Sequence, residues 1–391
     1  MVSDASTFPR SQAAIAGIGC TEFSKDSGTS TFGLAARAVK AAVADAGLEL
    51  RDVDGLATFG PGDSVPPNVL AQGLGIKSMS YFVDQYLGGS VSLSVIGSAA
   101  LAVSAGVADC VVCYRALNGR SEQRMNASGA GAKQPWDVQY KMSTGYIVPA
   151  QEMGMAARAH MERYGTTSED FGRLAILCRT NALDNERAMM RRPMTMDDYL
   201  ASAWISEPFR VFDCCLETDG AVAIAIVSAD RANDLPHRPV LLQGAAWGGG
   251  VNLYNNGTTD LAESPAKPIA KRLYHAAGVG PTDIDFAELY DCFTFTLLAQ
   301  IEGYGFAEDG GVPDMLRDGA FDRATGALPV NTHGGLLSEG YLHGFNHVYE
   351  AVEQIRGEAA HRQVEKHDTA LVAGQLGYIS AYSTALVLAG A

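Results

Sequence analysis

The chain has 391 residues, with 29 Lys plus Arg against 44 Asp plus Glu and a net charge of −15. Apolar residues at 47% and charged residues at 19% match an ordinary globular protein and exclude a largely disordered chain. A surface this acidic repels phosphate backbones and anionic lipid, which excludes nucleic-acid or membrane binding as the main task.

The opening MVSDASTFPRSQ lacks the basic-then-apolar layout of a signal peptide. No apolar run reaches the roughly 18 residues of a spanning helix. A cytoplasmic protein is expected. Gln12–Cys20 is a short apolar run and predicts a strand. Thr31–Ala46 carries Phe32, Ala35, Ala38, Val39, Ala42 and Val43 at helical spacing, and Gly47 stops the helix. Gly55–Phe59 predicts a second strand. Ser90–Ala105 is small and apolar all round, so it reads as a buried helix feeding the strand Ala108–Tyr114. That strand holds Cys110-Val-Val-Cys113. Strand positions three apart point to opposite faces, so these are expected core residues and not shared ligands. Seven cysteines, an odd number at low density, exclude a disulfide scaffold.

Leu117–Pro149 is rich in Gly, Ser, Met and Lys and reads as a long loop. Its Met125, Trp136, Tyr140, Met142 and Tyr146 are expected to line an apolar cleft or to dock on a dimer mate. Ser168 is placed to cap a helix over Phe171–Arg187, and Ala221–Ser228 predicts a strand. The order then repeats, with a strand at Arg238–Ala246, a helix at Ala266–Ala277 and a strand at Phe286–Tyr290. Ala46-Gly47-Leu48…Asp52-Val53-Asp54 matches Ala277-Gly278-Val279…Asp283-Ile284-Asp285, 231 residues apart (52 to 283). Ser90–Tyr114 likewise corresponds to Phe345–Leu376. The expectation is an α/β chain of two duplicated halves, residues 1–235 and 236–391, with a loop excursion over 117–208.

Four segments identify a family: Tyr164-Gly165-Thr166-Thr167; Asp213-Cys214-Cys215 with Thr218-Asp219-Gly220-Ala221; Glu288-Leu289-Tyr290-Asp291-Cys292-Phe293; and Asn331-Thr332-His333-Gly334-Gly335-Leu336. In this order they resemble the thiolase superfamily, most closely its sterol-carrier-protein and lipid-transfer type. The resemblance covers nearly the whole chain. It implies a thiolase fold, two βαβαβαββ-type halves packed in five layers.

The departures concern the chemistry. A thiolase works through an acyl-cysteine. The matching position is near Gly89 in Leu87-Gly88-Gly89-Ser90, and no cysteine lies between Cys20 and Cys110. The second family cysteine would open the turn Ala373-Gly374-Gln375-Leu376-Gly377, which has none. Two family histidines are tyrosines here, Tyr290 in Glu288–Phe293 and Tyr341 in Gly340-Tyr341-Leu342-His343-Gly344. Acyl transfer therefore gives way to proton transfer. A retro-aldol needs a base for the substrate hydroxyl, donors for a thioester enolate and an acid at Cα. Tyr290 and Tyr341 take the two proton-transfer roles, in an order left open. His343 is expected to help depress a tyrosine pKa, with His333 as a second candidate.

Gly89, Ser90, His333, Gly334 and Gly344 are the expected substrate and CoA contacts. Ser90 also reads as a helix N-cap. Arg120, Arg124, Lys133, Lys141, Arg191 and Arg192 are candidates for the CoA phosphates. No lysine falls in the catalytic loops for a Schiff base, and His333, His343 and His347 form no clear metal set, so no metal and no cofactor beyond substrate CoA are expected.

This pattern resembles the steroid side-chain aldolases of bacterial sterol catabolism. The resemblance implies cleavage of a 17-hydroxy steroid 20-carboxyl-CoA into a 17-ketosteroid and propionyl-CoA. It also implies a homodimer and a small OB-fold, zinc-ribbon partner protein. A second reading is a non-catalytic acyl-CoA-binding or scaffold subunit, and a third is a hydrolase or acyltransferase using Ser90. Side-chain length, ring oxidation and the partner's identity are not legible.

Overall fold

The computed structural model describes residues 8–60, 62–122, 136–146, 148–249, 260–375 and 382–391. Met125, Arg124, Lys133, Leu376 and Gly377, named above, lie outside them.

The first half runs β1 (Ala13–Cys20), α1 (Thr31–Asp45), β2 (Gly55–Phe59), α2 (Pro67–Leu74), β3 (Tyr81–Gln85), α3 (Ser92–Ser104) and β4 (Cys110–Asn118). The excursion holds α4 (Trp136–Ser143), α5 (Pro149–Tyr164), α6 (Ser168–Ala182) and α7 (Met196–Ala201), then the short strands β5 (Trp204–Ser206) and β6 (Phe209–Arg210). β7 (Asp219–Ser228) and α8 (Ala229–Ala232) return the chain to the first half. β8 (Val240–Gly249), α9 (Lys267–Ala277), β9 (Phe286–Glu288), α10 (Thr294–Gly303), α11 (Val312–Arg317), α12 (Gly335–Ser338), α13 (Phe345–Arg356), β10 (Thr369–Gln375) and β11 (Tyr382–Gly390) complete it.

Nine strands are hydrogen-bonded in the order β3-β2-β4-β7-β1-β8-β11-β10-β9. The order is symmetric about the β1–β8 junction: β1 answers β8, β7 answers β11, β4 answers β10 and β2 answers β9. Only Ala14–Leu241 and Ile15–Val240 pair across that junction. α1 covers one outer face and α9 the other, while α3 and α13 pack on strands of both halves between them. The result is the five-layer thiolase arrangement. The repeat is visible in backbone geometry too. Gly47 and Gly278 both end their helices with positive φ, at 68° and 72°.

Cys110 and Cys113 are fully buried, on opposite faces of β4 in separate core clusters, as the strand period requires. Three local readings are corrected. α4 stands inside the segment read as loop. Thr167, not Ser168, caps α6, because its side chain accepts from the Asp170 N–H while Asp170 accepts in return. That helix ends at Ala182, ahead of the expected Arg187, and Asn185 instead donates to the His333 carbonyl at 2.9 Å and Glu339 at 2.8 Å. Among the described residues, no helix is long and apolar enough to cross a membrane.

Candidate active site

Tyr290 leaves the end of β9 in the turn that leads to α10. Asn331 holds this turn: its Oδ1 accepts from Leu289 N–H at 2.7 Å, and its Nδ2 donates to the Leu289 carbonyl at 2.9 Å. The Asp291 carboxylate accepts from Leu336 N–H at 2.7 Å and tethers the turn to α12. Tyr341 lies in the loop between α12 and α13, and its N–H donates to Thr218 Oγ1 at 2.9 Å. These supports bring the two phenol oxygens to 2.8 Å.

Two glycines make room for Tyr290. A Cβ on Gly89 would sit 2.3 Å from the phenol Cζ and oxygen, and one on Gly344 would sit 3.1 Å from Cδ2. The phenol therefore occupies the space beside Gly89, near which the family resemblance sets the thiolase nucleophile. Real Cβ atoms do not approach a ring that closely, so glycine at 89 and tyrosine at 290 are one steric decision.

His343 sits beside Tyr341, with ring centroids 4.8 Å apart, and its backbone is held at φ 54°. Its Nδ1 faces Arg115, whose Nε and Nη2 lie 3.2 and 3.1 Å away. A guanidinium only donates, so Nδ1 is the acceptor and the proton sits on Nε2. Arg115 is fully buried on β4 and completes its fork with the Phe59 carbonyl at 2.7 Å and Asp63 at 2.6 Å. Burial, then the Arg115 charge, pulls the His343 pKa down to about 3. At neutral pH His343 is therefore uncharged and can act on Tyr341 only as a neutral hydrogen-bonding group, and the nearby cation is Arg115.

Burial raises the pKa of both Tyr290 and Tyr341 well above the ordinary 10. Their neighbours separate the two. The hydrogen bond between them works to lower Tyr341, as does Arg115, whereas the same bond raises Tyr290. Either hydroxyl can be the donor in their shared contact. Tyr341 and His343 keep 6% and 7% of their surface exposed against 1% for Tyr290, so the open side of the site is theirs.

His333 is wholly buried under this pair, stacked on His347 at 4.9 Å between ring centroids. Its Nδ1 accepts from Gly335 N–H at 2.7 Å. Glu288, His333 and His347 bring candidate ligand atoms within 4.8 Å of one another. The donor set does not fit a metal, because the Gly335 bond puts the His333 proton on Nε2, the nitrogen that faces Glu288 at 3.5 Å. His347 faces a carboxylate from each nitrogen, Glu288 at 3.6 Å and Asp291 at 3.3 Å. Burial opposes its charge, but the nearby Asp291 and Glu288 carboxylates prevail and raise it to about 9. The cluster is an imidazolium anchor beneath the Tyr290 turn.

The other expected contacts divide. Gly89 and Gly344 flank Tyr290. Gly334 packs against Ala182 of α6. Ser90 caps nothing: a single 3-10 turn covers Gly89–Val91, and Ser92 Oγ bonds the Gly89 carbonyl at 2.7 Å. Ser90 Oγ is buried without a hydrogen-bond partner, so no base stands ready to make it a nucleophile. Arg115, Asp63 and His347 complete the site and were not singled out as functional from the sequence. Arg115 follows directly on Tyr114, where the predicted strand stopped; a lone charge in an apolar strand was the available signal.

The strand order and the internal repeat define a thiolase-fold protein, with a pair of buried phenols beside Gly89. Residues 252–389 match the family model "Thiolase C-terminal domain-like". The chain is 42% identical over 378 residues to the steroid side-chain-cleaving aldolase of Thermomonospora curvata, covering 93% of this chain and 95% of that one. It is 42% identical over 360 residues to the 17-hydroxy-3-oxo-4-pregnene-20-carboxyl-CoA lyase of Mycobacterium tuberculosis, covering 88% and 92%. The solved structure of an "Ltp2-ChsH2(DUF35) aldolase" matches with a TM-score of 0.90 and 40% identity, over 98% of this chain and 99% of that one. The chain belongs to the thiolase superfamily and, within it, to the family of these aldolases.

Proposed function

We propose that the protein cleaves a β-hydroxyacyl-CoA by retro-aldol chemistry, taking a 17-hydroxy steroid 20-carboxyl-CoA to a 17-ketosteroid and propionyl-CoA. The observation that carries the mechanism is the Tyr290–Tyr341 contact, made beside Gly89.

Free phenolate is not required. Tyr341, nearer the opening and nearer Arg115, accepts the C17 hydroxyl proton. The C17–C20 bond breaks as the C17 carbonyl forms, and its electron pair passes into the thioester as an enolate. As Tyr341 takes that proton it hands its own to Tyr290 along their hydrogen bond, Tyr290 delivers its proton to Cα, and rotation of the two hydroxyls restores the pair. Two linked phenols move a proton from oxygen to carbon without a separated charge in a dry site. His343 offers its Nε2–H to an oxygen that gains charge, and Arg115 keeps it in that tautomer. The reaction balances with CoA as part of the substrate and no further cofactor.

The test is release of ketosteroid from 17-hydroxy-3-oxo-4-pregnene-20-carboxyl-CoA. Tyr290→Phe and Tyr341→Phe, each folded by circular dichroism, are expected to lose roughly 100-fold or more in kcat. Full activity in both would overturn the assignment.

A homodimer and an OB-fold, zinc-ribbon partner belong to the same proposal, together with the halves 1–235 and 236–391 as its domains. The similar aldolase of known structure carries a two-component name, Ltp2-ChsH2(DUF35), which supports a partner. The edge strand β3 supports self-association, because it carries Phe82, and Tyr86 directly after it, at 66% and 71% exposure. Performing the assay with and without such a partner tests whether the site is complete alone.

A further inference from the structure

The buried arginines obey one rule with one exception. Arg115 meets Asp63, and Arg362 meets Glu350 and Glu353. Arg179, on α6 and 5% exposed, meets no carboxylate among the described residues. Its Nε donates to Ser338 Oγ at 3.0 Å and its Nη1 to the Arg192 carbonyl at 3.4 Å, while the guanidinium lies 5.5 Å over the Phe212 ring. Those partners are neutral. Burial accordingly pulls its pKa down.

This guanidinium lines a cavity of about 390 Å³ with Pro193, Met194, Ser202 and Phe212. Asp198 stands in the same wall, but its carboxylate caps α7, accepting from Thr195 N–H and Oγ1 at 2.8 Å each. Arg191 and Arg192, both exposed, adjoin the wall at Pro193. In a chain of net charge −15, a buried guanidinium that lines a cavity and whose described partners are all neutral makes a receptor for an anion. A planar fork selects an oxyanion with two adjacent oxygens.

We propose that this cavity binds a phosphate-class anion through Arg179. Resting on the acyl-CoA reading above, the anion is a phosphate of the CoA moiety. Inorganic phosphate shares the chemistry and is the other source. A cavity tied to Ser338, three residues before Tyr341, couples that anion to the loop carrying the reactive phenol.

Calorimetric titration of the full chain with CoA, dephospho-CoA and inorganic phosphate tests this, in wild type, Arg179→Gln and Arg179→Lys. CoA binding is expected to weaken roughly tenfold or more in Arg179→Gln, with a smaller loss in Arg179→Lys, which keeps charge but not the fork. A wild-type preference for CoA over dephospho-CoA that vanishes in Arg179→Gln assigns the 3′-phosphate. The ligand-free melting temperature of Arg179→Gln is expected to hold or rise, because an unpaired buried charge is gone. A lowered melting temperature with unchanged CoA and phosphate binding marks Arg179 as structural and overturns the proposal, as does a wild type that binds none of the probes. Arg179-dependent binding of phosphate without any of CoA upholds the anion site and overturns the acyl-CoA reading.

Discussion

Gly89 is the residue on which the chemistry turns. Its missing Cβ is what lets the Tyr290 ring stand 2.3 Å from that position. Gly89→Ala is expected to destabilise the fold by about 1–3 kcal/mol, the usual cost of overpacking, and to displace the phenol. A lowered urea midpoint together with lost ketosteroid release checks both. Arg115 governs a second single-residue property, the neutrality of His343. Removing the guanidinium in Arg115→Gln takes away the second cause of the low His343 pKa and leaves the larger one, burial, so the pKa should rise from about 3 but stay below the ordinary 6.5. The acid limb of the kcat/KM profile should therefore move to higher pH in that variant than in the wild type. An unchanged profile removes His343 from the mechanism.

At the scale of elements, the site is a set of turns held by buried charge. Arg187 bonds Glu339, Glu350 and Glu353 at 2.9–3.1 Å and ties the Tyr341 loop to α13. His347 of α13 anchors the Tyr290 turn in the same way. Its folded pKa of about 9 lies above the ordinary 6.5, so its contribution is complete below about pH 6.5 and is lost as pH rises through 9. That contribution is on the order of 3 kcal/mol. The wild-type urea midpoint should fall between pH 6.5 and 9, and His347→Asn should lack that fall. Elements of this kind were unevenly legible. Gly55–Phe59 was readable to the residue, because an apolar run between turn residues has one local meaning. Tyr290 and Tyr341 were readable as a pair only through family resemblance. Arg115 and His347 were not, because their partners lie 228 and 56 or more residues away, and no local pattern encodes such contacts. α4 was missed because Gly, Ser and Lys around it read as loop.

For the whole molecule, the duplication matters most. Gly89 and Arg115 come from the first half, and Tyr290, Tyr341 and His343 from the second, so neither half carries a complete site. The exposed edge at β3 should seat a second copy. Phe82→Glu places a charge on that edge and is expected to shift the protein from dimer to monomer in light scattering, with the melting temperature reduced. A variant that remains dimeric moves the interface elsewhere.

The contact between Gly89 and Tyr290 also constrains ancestry. On this backbone a side chain at 89 and a tyrosine at 290 claim the same space, so a chain that carries both must shift one of them. Loss of the side chain at 89 and arrival of tyrosine at 290 are therefore coupled changes. The same logic applies to return: Gly89→Cys alone meets an occupied space, and the thiol finds room when residue 290 shrinks or shifts. Two positions 201 residues apart in sequence (89 to 290) thus bear on each other, each weighting which substitution the other will next tolerate.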